Sequence, residues 1–289
     1  MKDIAVINAC CDLGVHIYGA DLGPDIITKD IKKNKYTVKM KNTPKQIEKE
    51  NLKKNLDGVN DFNERLYGQV KELVEKDFLP ITVGGDHSIA IASALASISK
   101  NKNMGIIWFD AHGDFNSFET TMTGNIHGLP LAVITHYEKK DLSCFHDGNY
   151  YAHKNTVIVG ARDLDPLEKE NIEKCGVIVF TTEDIQKQGV ETICKKAFEI
   201  AKNGTKGVHI SYDIDLIDAQ IAPGVSVPVL DGINLDEAYK IVDKIIENKD
   251  VVKSVDIVEF NPLRDKNKVT ENITKTIFNK LYSNLLKKH

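Results

Sequence analysis

Seven short runs along the chain are almost continuously apolar: Ile4–Ile7, Pro80–Val83, Gly105–Phe109, Thr156–Val159, Val177–Phe180, Gly207–Ser211 and Ser254–Val258. Strands buried on both faces read this way, because neither face has to meet water. Between the runs, apolar residues recur at helical spacing over Asn60–Lys76, Ser88–Ser99, Glu191–Asn203 and Asp236–Asn248. Asn234 and Glu237 stand at the start of the last segment in the pattern of a capping box. Leu281–Lys287 ends a C-terminal helix. Strand, helix and strand in repeated alternation predict a mostly parallel sheet with helices on both faces. Lys29–Lys54 is the most polar region and reads as a solvated helix and loop, with a lid over a site as the alternative.

Composition narrows this picture. The chain has 289 residues, 42% of them hydrophobic, enough for a sizeable core. No linker, repeat or low-complexity tract divides it, so residues 1–289 read as a single domain. A net charge of -4 gives no electrostatic footprint for nucleic acid or an acidic membrane surface. No run approaches the ~18 apolar residues of a membrane span. The N-terminal MKDIAVINACCDLG lacks the apolar region and cleavage site of a signal peptide. Five irregularly spaced cysteines without a CxxC suit buried thiols in a reducing compartment. A cytoplasmic protein is expected.

Chemistry is concentrated just past the strands, where ligands of open parallel sheets bind. Pro80–Val83 is followed by Asp86 and His87, Gly105–Phe109 by Asp110, His112 and Asp114, Gly207–Ser211 by Asp213 and Asp215, and Ser254–Val258 by Glu259. Carboxylates crowded on one edge repel, and a cation removes that penalty. Residues two apart on an extended strand share a face, so Asp110, His112 and Asp114 can converge, as can Asp213 and Asp215. Gly113 has no side chain to obstruct a close approach. Oxygen ligands with two imidazoles and no thiolate suit Mn²⁺, with Fe²⁺, Co²⁺ or Ni²⁺ as rivals. Six ligands fit two ions, the arrangement of metal-assisted hydrolysis. Other chemistries lack their signatures. Gly14 and Gly19 have P-loop spacing, but Ala20 and Asp21 follow them, and no GxSxG or HExxH is present.

GGDHS at 84–88, DAHGD at 110–114, GNIHG at 124–128, SYDID at 211–215 and VEFNP at 258–262 resemble, in order, the five signature stretches of the ureohydrolases, the family of arginase, agmatinase and their relatives. TGNIHGLPLA at 123–132, APGV at 222–225 and NPLRDKNKVT at 261–270 are similar to bacterial arginases in particular.

The resemblance implies a three-layer α/β/α fold, two Mn²⁺ ions, a homo-oligomer of three or six subunits and a small guanidino substrate. His87, Asp110, Asp114 and Asp213 would hold one ion, and Asp110, His112, Asp213 and Asp215 the other, with hydroxide bridging them. Glu259 would orient the guanidinium through a bidentate contact, Asp114 would assist proton transfer, and His127 would shuttle protons. Asn116, Thr121 and Thr123 would bind the α-carboxylate of arginine, and Asp165 its α-ammonium. Leu216, Ala219, Val227 and Asp231 depart from the glycine, proline, threonine and glycine usual at their positions, and Val227 removes a hydroxyl near the guanidinium. The expected reaction is hydrolysis of L-arginine to L-ornithine and urea. The alternatives are another guanidino or amidino hydrolase (agmatinase, guanidinobutyrase or formimidoylglutamase) or a catalytically poor metal-binding regulator.

Overall fold

The structure, a computed structural model, describes residues 3–41, 45–48, 52–139 and 141–286. In chain order its elements are β1 (Ile4–Cys10), α1 (Gly23–Ile27), β2 (Lys35–Lys39), α2 (Leu56–Glu75), β3 (Leu79–Gly84), α3 (Ala90–Asn101), β4 (Gly105–Phe109) and α4 (Pro130–Ile134). They continue with β5 (Thr156–Ala161), α5 (Pro166–Cys175), β6 (Ile178–Thr181), α6 (Thr182–Gln188), α7 (Val190–Ala201), β7 (Val208–Asp213), α8 (Leu235–Glu247), β8 (Val252–Val258) and α9 (Val269–Leu285). The strands form one sheet in the order β2-β1-β3-β8-β7-β4-β5-β6. Every neighbouring pair is parallel.

Strand alternation builds a core on each side of this sheet. On β1, Ile4 and Val6 join one apolar cluster, with α7, α8 and α9, while Ala5, Ile7 and Ala9 join the other, with α2, α3 and α4. On β4, Ile107 and Phe109 face the first cluster and Ile106 and Trp108 the second. Three layers result, as expected, and the apolar runs are continuous because both faces are covered. The four predicted helical segments correspond to α2, α3, α7 and α8. The capping box at α8 is present, with Asn234 accepting from the Glu237 amide and Glu237 accepting from the Asn234 amide. The C-terminal helix is α9; Lys287 lies outside the described residues.

The Lys-rich region departs from its reading as helix and loop. It contains an eighth strand, β2, of sequence KYTVK, in which Val38 is the buried residue. An edge strand has one paired side, and flanking lysines discourage further pairing. Alternation is too short there to stand out. Residues 42–44 and 49–51 of the lid alternative lie outside the described residues. Among the described residues, no helix is long and apolar enough to cross a membrane.

The order of strands places the chemistry. β3, β8, β7 and β4 are consecutive and central. All four run the same way, so the residues after them meet at one edge.

Candidate active site

The floor of the site is a group of buried carboxylates around two imidazoles. Nδ1 of His87 lies 3.0 Å from Asp110 Oδ2, 3.0 Å from Asp114 Oδ2 and 3.1 Å from Asp213 Oδ2. Nδ1 of His112 lies 3.1 Å from Asp215 Oδ2 and 3.4 Å from Asp110 Oδ1. Ligand atoms of His87, Asp110 and Asp213 lie together within ion-binding distance, as do those of Asp110, His112 and Asp215. Asp110 belongs to both groups.

Neighbouring donors aim these oxygens. The Trp108 indole N–H donates to Asp110 Oδ2 at 3.0 Å, and the His112 amide to Asp110 Oδ1 at 2.6 Å. The Asp215 amide donates to Asp213 Oδ1, and the Ala111 amide to Asp215 Oδ1. His87 is held by a stacked Trp108 ring, centroids 4.0 Å apart, and by a 2.8 Å contact from Nε2 to Ser211 Oγ. That contact leaves Nδ1 as the atom facing the carboxylates, the usual way an outer partner fixes a ligating histidine.

The residues of FDAHGD converge, although not by strand alternation. β4 ends at Phe109, and the next five residues form a loop in which Asp114 is left-handed, φ 49°. A Cβ at Gly113 would sit 2.8 Å from Glu168 Oε1. Glycine there lets a carboxylate from α5 support the loop. After β7, Ile214–Leu216 is a 3-10 turn capped by Asp213.

Electrostatics point to a cation. Burial, then Asp215 and Asp110, push the Asp213 carboxyl well above the usual range. Burial and Asp110 push Asp114 up to about 6, and burial and Asp110 likewise raise Asp215. Burial opposes the charged forms of His87 and His112, yet the surrounding carboxylates outweigh it and raise both. Burial would also raise Asp110, but the hydrogen bonds from His112 and His87 hold it low. Three oxygens surround His87 Nδ1, a nitrogen that carries at most one proton. It makes no well-directed hydrogen bond, and neither does Asp114 Oδ2. Orphaned buried donors and acceptors of this kind are costly unless an ion satisfies them. The donor set of oxygen and imidazole therefore fits divalent cations of the Mn²⁺ type.

A cavity of about 210 Å³ opens above this floor. His112, Asp114, Asn116, Thr121, Thr123, His127 and Asp165 all line it. Asn116 Nδ2 donates to Asp165 Oδ2 at 3.1 Å, so the expected carboxylate and ammonium readers touch. The Thr121 hydroxyl accepts from the Gly124 amide, which leaves its proton for a ligand. Glu259 stands just past the end of β8. Its Oε1 accepts from the His87 amide at 2.8 Å and lies 3.0 Å from His127 Nδ1, whereas its buried Oε2 has no partner. Burial opposes the charged His127, but Glu259 outweighs it and raises its pKa.

Several residues of the site lacked a role at the sequence level. Glu168 lines the cavity and accepts from the Phe115 amide and, in a capping box, from the Asp165 amide. The spacing Asp165-Pro-x-Glu168 was its signal. Arg162 had none. Its guanidinium donates to the carbonyls of Asp215, Leu216, Val229 and Leu230, clamping the loop of residues 215–232. That loop contains the four departures. Leu216 is buried against Gly160, where a Cβ would lie 2.1 Å from its Cδ1. Asp231 takes a left-handed φ of 61°, which aspartate tolerates better than most residues. The Ala219 amide donates to Val229 O. Val227 lines the cavity and offers it no hydroxyl.

Comparison with known proteins agrees with this geometry. The arginase family model matches residues 2–285. An arginase from Brevibacillus brevis is 33% identical over 299 residues, covering 99% of both chains. An arginase from Bacillus subtilis (strain 168) is 35% identical over 301 residues, again covering 99% of both. The native structure of arginase from Bacillus caldovelox at pH 5.6 superimposes with a TM-score of 0.90 at 29% identity, covering 99% of this chain and 100% of that one.

Proposed function

The chain belongs to the arginase family, and on that premise we propose that it is a manganese-dependent hydrolase converting L-arginine and water to L-ornithine and urea. The observation that carries this reading is the shared position of Asp110 between two ligand groups beneath a cavity whose wall joins Asn116 to Asp165. His87, Asp110, Asp114 and Asp213 hold one ion, and Asp110, His112, Asp213 and Asp215 the other. Bound there, two divalent cations supply Lewis acidity and a nucleophile from water at neutral pH.

The chain's own residues do the rest. Glu259 meets the guanidinium through its unpartnered Oε2, a charge-assisted contact that orients the carbon to be attacked. Asp114 holds a proton in transit to the leaving amine. His127, anchored on Glu259, exchanges protons between the site and solvent. Asn116, Thr121 and Thr123 receive the α-carboxylate, and Asp165 the α-ammonium. The same reading makes the protein a cytoplasmic homo-oligomer of three or six subunits.

The test is product analysis after manganese reconstitution of metal-stripped protein. Equal amounts of urea and ornithine from arginine support the reading. No urea from arginine, with two ions bound per chain, rejects it.

A further inference from the structure

His16 lies on the loop after β1 and lines the same cavity as Asn116, His127 and Asp165. It is exposed to that cavity's solvent, yet its backbone is unusually fixed for a loop. The Gly14 carbonyl accepts from the His127 amide, and the Leu13 carbonyl from Asn55 Nδ2. Ile17 O accepts from Lys45 Nζ at 2.8 Å, and Tyr18 O from Asn261 Nδ2 at 3.0 Å. The Gly14 and Gly19 amides donate to Asp86 and Asp12. A residue held on both sides in this way presents its side chain at little entropic cost.

The ring itself is oriented. Its Nδ1 accepts from Asn125 Nδ2 at 3.0 Å. A neutral ring whose Nδ1 accepts carries its proton on Nε2, and burial, His127 and Lys54 disfavour the charged form. Among the described residues, Nε2 has no partner. The neighbourhood is electropositive. Lys54 is buried, and its Nζ donates to the carbonyl of Thr123, itself on the cavity wall. Asp163 and Asp165 line the same cavity. An N–H donor in a positive setting, in a cavity that carboxylates also line, suits a ligand carrying both a carboxylate and an ammonium at one end.

We propose that His16 is a specificity-determining residue that donates from Nε2 to the carboxylate of the substrate, alongside Asn116, Thr121 and Thr123. This deepens the arginine reading and rests on it. It gives the site a further donor with which to favour an amino acid over a decarboxylated guanidine.

The test uses the manganese-loaded protein, its His16→Ala variant and its His16→Gln variant, which keeps an N–H donor. Calorimetric titration with L-ornithine and putrescine compares ligands that differ by the carboxylate alone. His16→Ala lowers the ornithine-to-putrescine affinity ratio roughly tenfold, the effect of one hydrogen bond to a charged group, and His16→Gln restores most of it. An unchanged ratio, or equal weakening of both ligands, overturns the proposal. Urea release by the wild-type protein is measured alongside. A ratio that falls as expected in a protein that hydrolyses no arginine keeps His16 as the carboxylate reader and rejects the arginase reading instead.

Discussion

Glu259 and His127 share one oxygen: Oε1 of the glutamate lies 3.0 Å from Nδ1 of the histidine, and Oε2 is buried without a partner. Under the proposed function one carboxylate thereby has two tasks, holding the proton-exchanging imidazole through Oε1 and meeting the guanidinium through Oε2. Glu259 occupies a left-handed position, φ 69°, just past β8, and its amide donates to Gly85 O. The backbone turn is what brings the side chain back over the floor.

Glu259→Gln keeps the shape and removes the charge. We expect kcat/KM for arginine to fall at least 100-fold, the loss of a buried charge pair worth about 3 kcal/mol or more, with manganese content unchanged. His127 also loses the carboxylate that raises its pKa, so its titration, followed by NMR, moves to lower pH. A variant with wild-type kinetics and an unmoved His127 titration contradicts both tasks.

Asp110→Ala removes a carboxylate that belongs to both clusters of ligand atoms. Bound manganese should fall below one ion per chain at concentrations that saturate the wild-type protein, and urea formation should drop by at least 1000-fold. Metal analysis after gel filtration checks the first expectation. Two ions still bound would refute the shared position.

Ser211→Ala frees Nε2 of His87 while leaving every direct ligand in place. Loss of such an outer partner typically weakens metal binding by about 10–100-fold. Competition with a chelator measures this without reference to turnover. An unaltered manganese affinity would show that Trp108 stacking alone orients the ring.

Glu168 links the site to stability. Burial pushes its carboxyl from an ordinary 4.5 up to about 8. The folded state then holds a proton that the unfolded state releases, so its stabilising contribution is complete below pH 4.5 and is lost as pH rises toward 8. The slope is at most about 1.4 kcal/mol per pH unit. In metal-free protein, Tm should fall between pH 5 and pH 8 by more in the wild type than in Glu168→Gln. Equal falls would mean that Glu168 does not titrate in this window.

The candidate ligand positions were legible in the sequence because buried parallel strands are apolar and end abruptly. A charged residue directly after Phe109, Tyr212 or Val258 is conspicuous, and parallel order sends all of them to one edge. Convergence at Asp110, His112 and Asp114 was legible, whereas its cause was not. The left-handed turn at Asp114 depends on Glu168, 54 positions along the chain, and local spacing has no record of that contact. Arg162 and His16 were hidden for the same reason. An arginine after β5 has no local pattern that announces four carbonyl partners around residues 215–232. β2 was missed because a five-residue edge strand with a lysine at each end looks like solvated loop.

Under the proposed function the cavity receives arginine. The most direct measurement is kcat/KM for arginine, agmatine, guanidinobutyrate and formimidoylglutamate on one manganese-reconstituted preparation. We predict that arginine exceeds each of the others by at least tenfold, as a cavity with readers for both a carboxylate and an ammonium requires. Agmatine or formimidoylglutamate turned over faster than arginine would contradict the account.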